Sequence, residues 1–122
     1  MSMERQILVV DDEAVIRLHI RDILTAAGYS VIEGGDGVEG LDTFKQHMEH
    51  IALVLLDLNM PNMTGYEMLA EIQILDADVD IMVITGYDPN KERLPGVRAI
   101  MRKPIKKDEL LRVVQGILAG EP

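Results

Sequence analysis

Residues 52–74 read ALVLLDLNMPNMTGYEMLAEIQI. The apolar run Ala52–Leu56 has the length of a strand and no polar alternation, and it ends directly on Asp57. A run of that kind suits a strand covered on both faces, the usual condition in a parallel sheet packed between helices. A loop containing Asn59, Pro61 and Asn62 follows, and from Thr64 to about Ile74 the apolar residues Met68, Leu69 and Ile72 return at helical spacing. A strand, a carboxylate at its carboxyl end and a crossover helix therefore come in succession.

The same alternation extends in both directions. Strand-length apolar runs recur at Ile7–Val10, Ser30–Ile32, Ile81–Ile84 and Ala99–Met101. Helical patterns separate them: Ile16, Ile20, Ile23 and Ala27 recur before a stop at Gly28, and Asp36 to about His47 carries Val38, Leu41 and Phe44. The last pattern, about Lys107 to Leu118, puts Leu110, Leu111, Val114, Ile117 and Leu118 on one face. Alternating strands and helices predict an α/β fold, a doubly wound five-stranded parallel sheet with right-handed crossovers and helices on both faces. Residues 1–122 are expected to form a single domain, of a size that buries a core without disulfides or a structural metal. One connection is weak: Gly86 to Arg98 contains Pro89, Pro95 and Gly96 and little apolar periodicity.

Composition narrows the function. With 21 acidic against 12 basic residues the formal charge is −9, which argues against direct nucleic-acid binding, since a phosphate backbone is met by a basic surface. There is no cysteine, hence no disulfide framework, thiolate metal site or thiol chemistry, and a reducing cytoplasm fits. Met1 to Gln6 carry charges and no long apolar stretch, so neither a secretory signal nor a membrane anchor is expected there.

In an open parallel sheet, ligands collect at the carboxyl ends of the strands. Asp11 and Asp12 follow the first strand, Asp57 the third, Thr85 ends the fourth and Lys103 follows the fifth. Three neighbouring carboxylates repel one another and would hold raised pKa values unless a cation joined them. Mg²⁺ suits the set, because it takes oxygen ligands, keeps several waters and is often held by one or two carboxylates together with a phosphate. Lys103 and Thr85 suit phosphoryl oxygens, as a positive charge and a hydroxyl donor.

In these motifs, Val9-Val10-Asp11-Asp12-Glu13, Leu56-Asp57-Leu58-Asn59-Met60-Pro61-Asn62-Met63-Thr64-Gly65, Ile84-Thr85-Gly86 and Arg102-Lys103-Pro104, the chain resembles the receiver domains of response regulators from Gln6 to Leu118. The resemblance implies the strand order 2-1-3-4-5. It implies that Asp57 accepts a phosphoryl group from the phosphohistidine of a sensor histidine kinase or phosphotransfer protein, and that the chain then regulates a downstream protein target. It further implies Mg²⁺ ligated by Asp12, Asp57 and the backbone carbonyl of Asn59, with Asp11 acting mainly through water, and a cis peptide at Lys103-Pro104. Such a chain is a cytoplasmic signalling module, catalysing only its own phosphorylation and dephosphorylation.

Two departures from the family pattern stand out. The aromatic residue usual near the lysine loop is replaced by Ile100, and the interval from Thr85 to Lys103 is a few residues short, so the crossover helix between the fourth and fifth strands should be short or absent. A similar shortened form, with Thr-Gly-Tyr after the fourth strand, occurs in stand-alone and hybrid-kinase receivers. Tyr87, two positions after Thr85, is the candidate for contact with the phosphoryl group or for limiting access to the pocket. The competing class is a nucleotide-binding α/β domain, because Gly35-Asp36-Gly37-Val38-Glu39-Gly40 fits G-x-G-x-x-G between a strand and a helix. Against it, Asp36 and Glu39 would face the pyrophosphate and the motif follows the second strand instead of the first. A turn and helix start is the preferred reading.

Overall fold

A computed structural model describes residues 5–120. The strands are β1 (Gln6–Val10), β2 (Ser30–Gly34), β3 (Ile51–Asp57), β4 (Asp80–Thr85) and β5 (Ala99–Arg102). The helices are α1 (Ala14–Ala26), α2 (Gly37–His47), α3 (Gly65–Leu75) and α4 (Lys107–Leu118), with short 3-10 turns at Met48–His50 and Lys91–Arg93. All strand pairings are parallel, in the order β2-β1-β3-β4-β5. The expected topology is the one observed.

The alternation of side chains along each strand divides the core in two. Leu8, Val10, Val54, Leu56, Ile81 and Val83 point to the layer that contains Phe44 of α2 and Met68, Leu69 and Ile72 of α3. Ile7, Val9, Leu53, Leu55, Met82 and Ile84 point to the opposite layer, with Ile20, Ile23 and Leu24 of α1 and Leu110, Val114 and Ile117 of α4. The central strands are thus apolar on both faces, which is why they appear in the sequence as unbroken runs.

Local signals set the helix ends. After α1 the chain turns through Gly28 at φ 95°, a left-handed conformation that glycine adopts without steric cost. At α3, Thr64 Oγ1 accepts from the Glu67 N–H at 3.2 Å while Glu67 Oε1 accepts from the Thr64 N–H at 3.1 Å, a capping box. At α2, Asp36 Oδ1 accepts from the Glu39 N–H at 2.8 Å.

The crossover from β4 to β5 holds a single 3-10 turn where a helix would otherwise pack, as the sequence interval predicts. Leu94 buries its side chain in the layer of α2 and α3. The rest of the segment is tied to α3: the Asn90 N–H donates to Tyr66 Oη at 2.9 Å, Arg93 lies over the Tyr66 ring at 4.2 Å, and Gln73 Nε2 donates to the Pro95 carbonyl at 2.6 Å. Polar tethers replace much of the apolar packing that an amphipathic helix would supply.

Gly65 makes the first turn of α3 compatible with the end of β3. A Cβ on Gly65 would overlap the Asp57 carbonyl oxygen and lie 2.5 Å from Leu58 Cα, both backbone atoms with no freedom to yield. We predict that Gly65→Ala destabilises the protein by about 2–3 kcal/mol, measured by urea denaturation, because overpacking against backbone forces α3 away from β3. A variant within about 0.5 kcal/mol of the parent would show that α3 shifts without cost.

Candidate functional site at the carboxyl edge of the sheet

The chain leaves β1 for β2 on one side and returns to β3 on the other, so the crevice above β1 and β3 is the switch point of the sheet. Asp11 caps β1 and Asp57 is the last residue of β3; both are buried, while Asp12 is exposed. One carboxylate oxygen from each of the three lies within 4.8 Å of the others. Thr85, the buried last residue of β4, and Lys103, just beyond β5, complete the edge.

Each buried acid has one oxygen held by backbone and one left over. Asp11 Oδ1 accepts from the Glu13 N–H at 2.8 Å, and Asp57 Oδ1 accepts from the Asn59 N–H at 3.2 Å. Asp11 Oδ2 and Asp57 Oδ2 are buried and take no backbone donor; the Lys103 ammonium lies 3.1 and 3.5 Å from them, and the Asp12 carboxylate is close by. Lys103 Nζ also pairs with Glu13 Oε1 at 3.1 Å. One ammonium is therefore shared among three acids, and it compensates them incompletely.

The electrostatics follow from this shortfall. Burial, then the charge of Asp11, pushes the Asp57 carboxyl up to about 7, against the opposing pull of the Asn59 N–H and Lys103. Burial likewise raises Asp11, although the Glu13 N–H and Lys103 act to lower it. For Lys103, burial works to lower the pKa, but the charges of Asp11 and Asp57 and bonds to Asp11 and Glu13 raise it above the ordinary lysine value. The set of hard oxygens, two of them buried and sharing a single ammonium, fits a hard divalent cation that retains part of its water shell. Asp11, Asp12 and Asp57 could hold one.

Beside the acids lies a cavity of about 160 Å³ lined by Glu13, Asp57, Asn59, Gly86, Tyr87 and Lys103. Thr85 does not point its hydroxyl at Asp57: Oγ1 donates to the Tyr87 carbonyl at 3.0 Å and accepts from the Tyr87 N–H at 3.2 Å. Lys103 is anchored by its own N–H, which donates to the Thr85 carbonyl at 2.8 Å, and its peptide bond to Pro104 is cis. Tyr87 lines the cavity mouth and is 42% exposed. Ile100 lies on β5 with 37% of its surface exposed, away from this cavity.

The structure thus brings together Asp11, Asp12, Asp57, Asn59, Thr85, Lys103 and Tyr87. Sequence reasoning gave Glu13 no role, although it lines the cavity and pairs with Lys103. Its signal was its place in the acid run Asp11-Asp12-Glu13 just before α1, which is easily read as a favourable helix-dipole charge. The glycine motif of residues 35–40 is explained by packing. Asp36 caps α2, Glu39 Oε1 accepts from the Gly35 N–H at 3.2 Å, and a Cβ on Gly40 would lie 2.8 Å from the Val10 methyls. The Gly35 and Glu39 N–H groups are already taken by carboxylates, and the Gly40 N–H by the Asp36 carbonyl.

A five-stranded parallel sheet with this acid and lysine edge is the architecture of a receiver domain, and the comparisons agree: the response regulator receiver domain family matches residues 7–115. The chain belongs to that family, a class of two-component signalling modules. It is 31% identical to the chemotaxis protein CheY of Bacillus subtilis, over 95% of this chain and 99% of that protein. It is 36% identical to the probable transcriptional regulator ycf27 of Porphyridium aerugineum, over 94% of this chain and 48% of that protein. The chain spans about half the length of the first curated relatives it matches. Among solved structures, the CheX-CheY-BeF3-Mg complex of Borrelia burgdorferi matches with a TM-score of 0.87 at 27% identity, covering 93% of this chain and 88% of that one.

The raised Asp57 carboxyl has a consequence for stability. Between the ordinary carboxylate value of 3.8 and about 7, the folded state retains a proton that the unfolded state releases. Stability in metal-free buffer should therefore fall as pH rises through that window and level off above it. Asp57→Asn should lose most of this dependence, so that its stability advantage over the parent grows from about pH 4 to about pH 8. Urea titrations in EDTA across that range test it, and parallel pH profiles for the two proteins would contradict it.

Proposed function

We propose that residues 1–122 act as one phosphoryl-accepting receiver, with Asp57 as the acceptor. The observation that carries this is the state of Asp57 Oδ2: buried, without a backbone donor, 3.5 Å from an ammonium and beside an open cavity. Attack by this oxygen on phosphorus forms an acyl phosphate as the P–N bond to a phosphohistidine breaks and the imidazole departs. Lys103 balances charge on the transferring group, and the buried surroundings fix the direction of attack; alignment and charge neutralisation supply most of the catalysis in phosphoryl transfer.

Asp11, Asp12 and Asp57, with the Asn59 carbonyl, are the residues that would hold Mg²⁺, which supplies charge neutralisation of the phosphoryl oxygens when bound. Support comes from the donor chemistry and from the Borrelia neighbour, whose complex contains Mg²⁺ and BeF3. The phosphodonor in this reading is a histidine kinase or phosphotransfer protein of the cytoplasm. An apolar groove beside Lys103, lined by Val15, Ile16, His19, Pro104 and Ile105, offers such a protein a surface next to the site. The receiver then regulates a downstream protein; the chain is a signalling module without a separate substrate.

To reach a phosphoryl oxygen, the Thr85 hydroxyl must give up its bonds to Tyr87. Movement there enters the crossover segment, which is linked onward by Arg102 to Asp88 at 2.5 Å and by Asn90 to Tyr66. The response is therefore assigned to residues 86–98, in place of an aromatic rotamer at position 100.

Acetyl phosphate with Mg²⁺ should phosphorylate the protein once, at a base-labile site mapped to Asp57. Asp57→Asn and excess EDTA should each abolish the product. Modification on Asp11 or Asp12, or undiminished transfer in EDTA, would refute the assignment.

Beryllofluoride should change amide hydrogen exchange within residues 86–98, and Tyr87→Ala should change the rate of dephosphorylation by opening the cavity to water. Unchanged protection together with a parental rate in the variant would dispose of both roles.

A further inference from the structure

We propose that Arg17 is a positioning residue for the metal-binding carboxylates, a role that rests on reading Asp11, Asp12 and Asp57 as the magnesium set. Arg17 lies one turn into α1, and its Nη1 donates to the Asp11 carbonyl at 2.7 Å. The Asp11 N–H meanwhile donates to the Gly34 carbonyl at the end of β2, at 3.2 Å. Both peptide groups of Asp11 are thereby fixed, one to β2 and the other to α1.

The second of these peptides joins Asp11 to Asp12. Asp12 is exposed, so packing does little to hold its backbone, yet its carboxylate must stay within 4.8 Å of those of Asp11 and Asp57 to share a cation. The Arg17 bond restricts rotation of that peptide and so the direction from which the Asp12 side chain leaves the chain. Groups that hold ligands from behind commonly govern metal affinity in this way.

Arg17 is itself held. Its Nε donates to Glu33 Oε1 at 3.0 Å, and the other Glu33 oxygen accepts from Arg21 Nη1 at 2.8 Å. The guanidinium thus spans α1, the β1–α1 turn and β2 with a planar fork that a lysine cannot reproduce. Glu33 also offsets the arginine charge, so the hydrogen bond to Asp11 is delivered with little added positive potential beside a cation site. A bare cation at the same place would oppose Mg²⁺.

That opposition gives the test its sign. Titration of the purified protein with Mg²⁺, followed by amide NMR shifts around Asp12 and Asp57, reports affinity without any phosphoryl transfer. Arg17→Ala should weaken binding by about tenfold, the low end for residues that hold ligands in place. Arg21→Ala, which removes the other partner of Glu33 and leaves the Arg17–Asp11 bond, should bind at the parental value. Tighter binding in Arg17→Ala would mean that the arginine acts only as a repelling charge. Unchanged binding with a lowered metal-free melting temperature would mean that it is only structural. Either result overturns the proposal. If the alanine variant does not fold, Arg17→Lys decides: weaker binding supports the role and parental binding overturns it. A parent protein that binds no Mg²⁺ would instead refute the metal reading of the acids, and the positioning role with it.

Discussion

Everything at the carboxyl edge of this sheet depends on the cost of keeping carboxylates ionised where water is scarce. Asp11 and Asp57 are buried at the ends of adjacent strands, and one lysine ammonium serves both as well as Glu13. An isolated pair of buried acids would take up protons. Here the raised Asp57 carboxyl marks a site that is unsatisfied by the protein alone, a shortfall of positive charge that a divalent cation could make good. A fully neutralised cluster would be more stable and would have little to bind.

The rest of the fold serves to hold that unfavourable arrangement. The apolar runs of β1, β3 and β4 are buried on both faces, so the strand ends are held by contacts in two layers. Gly65 lets α3 approach the backbone at Asp57 more closely than any side chain would permit. Gly40 does the same for α2 against β1. These close approaches fix the β3–α3 turn, and through it Asn59, with hardly any slack for the carboxylate cluster to relax by spreading apart.

The shortened crossover changes how a change at the site could travel. In place of a packed helix, residues 86–98 are secured by the buried Leu94, by Arg98 against β4, and by polar contacts to α3 and β5, including Tyr66 with Asn90 and Arg93, and Arg102 with Asp88. Partly exposed hydrogen bonds contribute little each and open more easily than a buried apolar face. The stretch that follows the Thr85 hydroxyl, from Gly86 to Asn90, is held to the rest of the fold mainly by such polar contacts. An Ile at position 100 has no polar group to exchange between environments, whereas Tyr87 lies within the segment and Tyr66 of α3 contacts it through Asn90 and Arg93.

The sequence by itself determined the strand and helix succession, the parallel sheet, the short crossover and the identity of the residues at the strand ends. Those features are written in unbroken apolar runs of strand length, in a helical period of 3.6 residues and in the order and spacing of family motifs, which need no knowledge of distance. The capping box Thr64-x-x-Glu67 was equally local and could have been read. Tertiary structure alone decided what each site residue touches. That Lys103 reaches Glu13, ninety positions away, that the Thr85 hydroxyl is turned toward Tyr87, and that Arg17 holds the Asp11 carbonyl are outcomes of how strand ends and helices come together in space. Side-chain partners across such separations are fixed by packing to within a fraction of an ångström, and no periodicity in a single sequence encodes that distance.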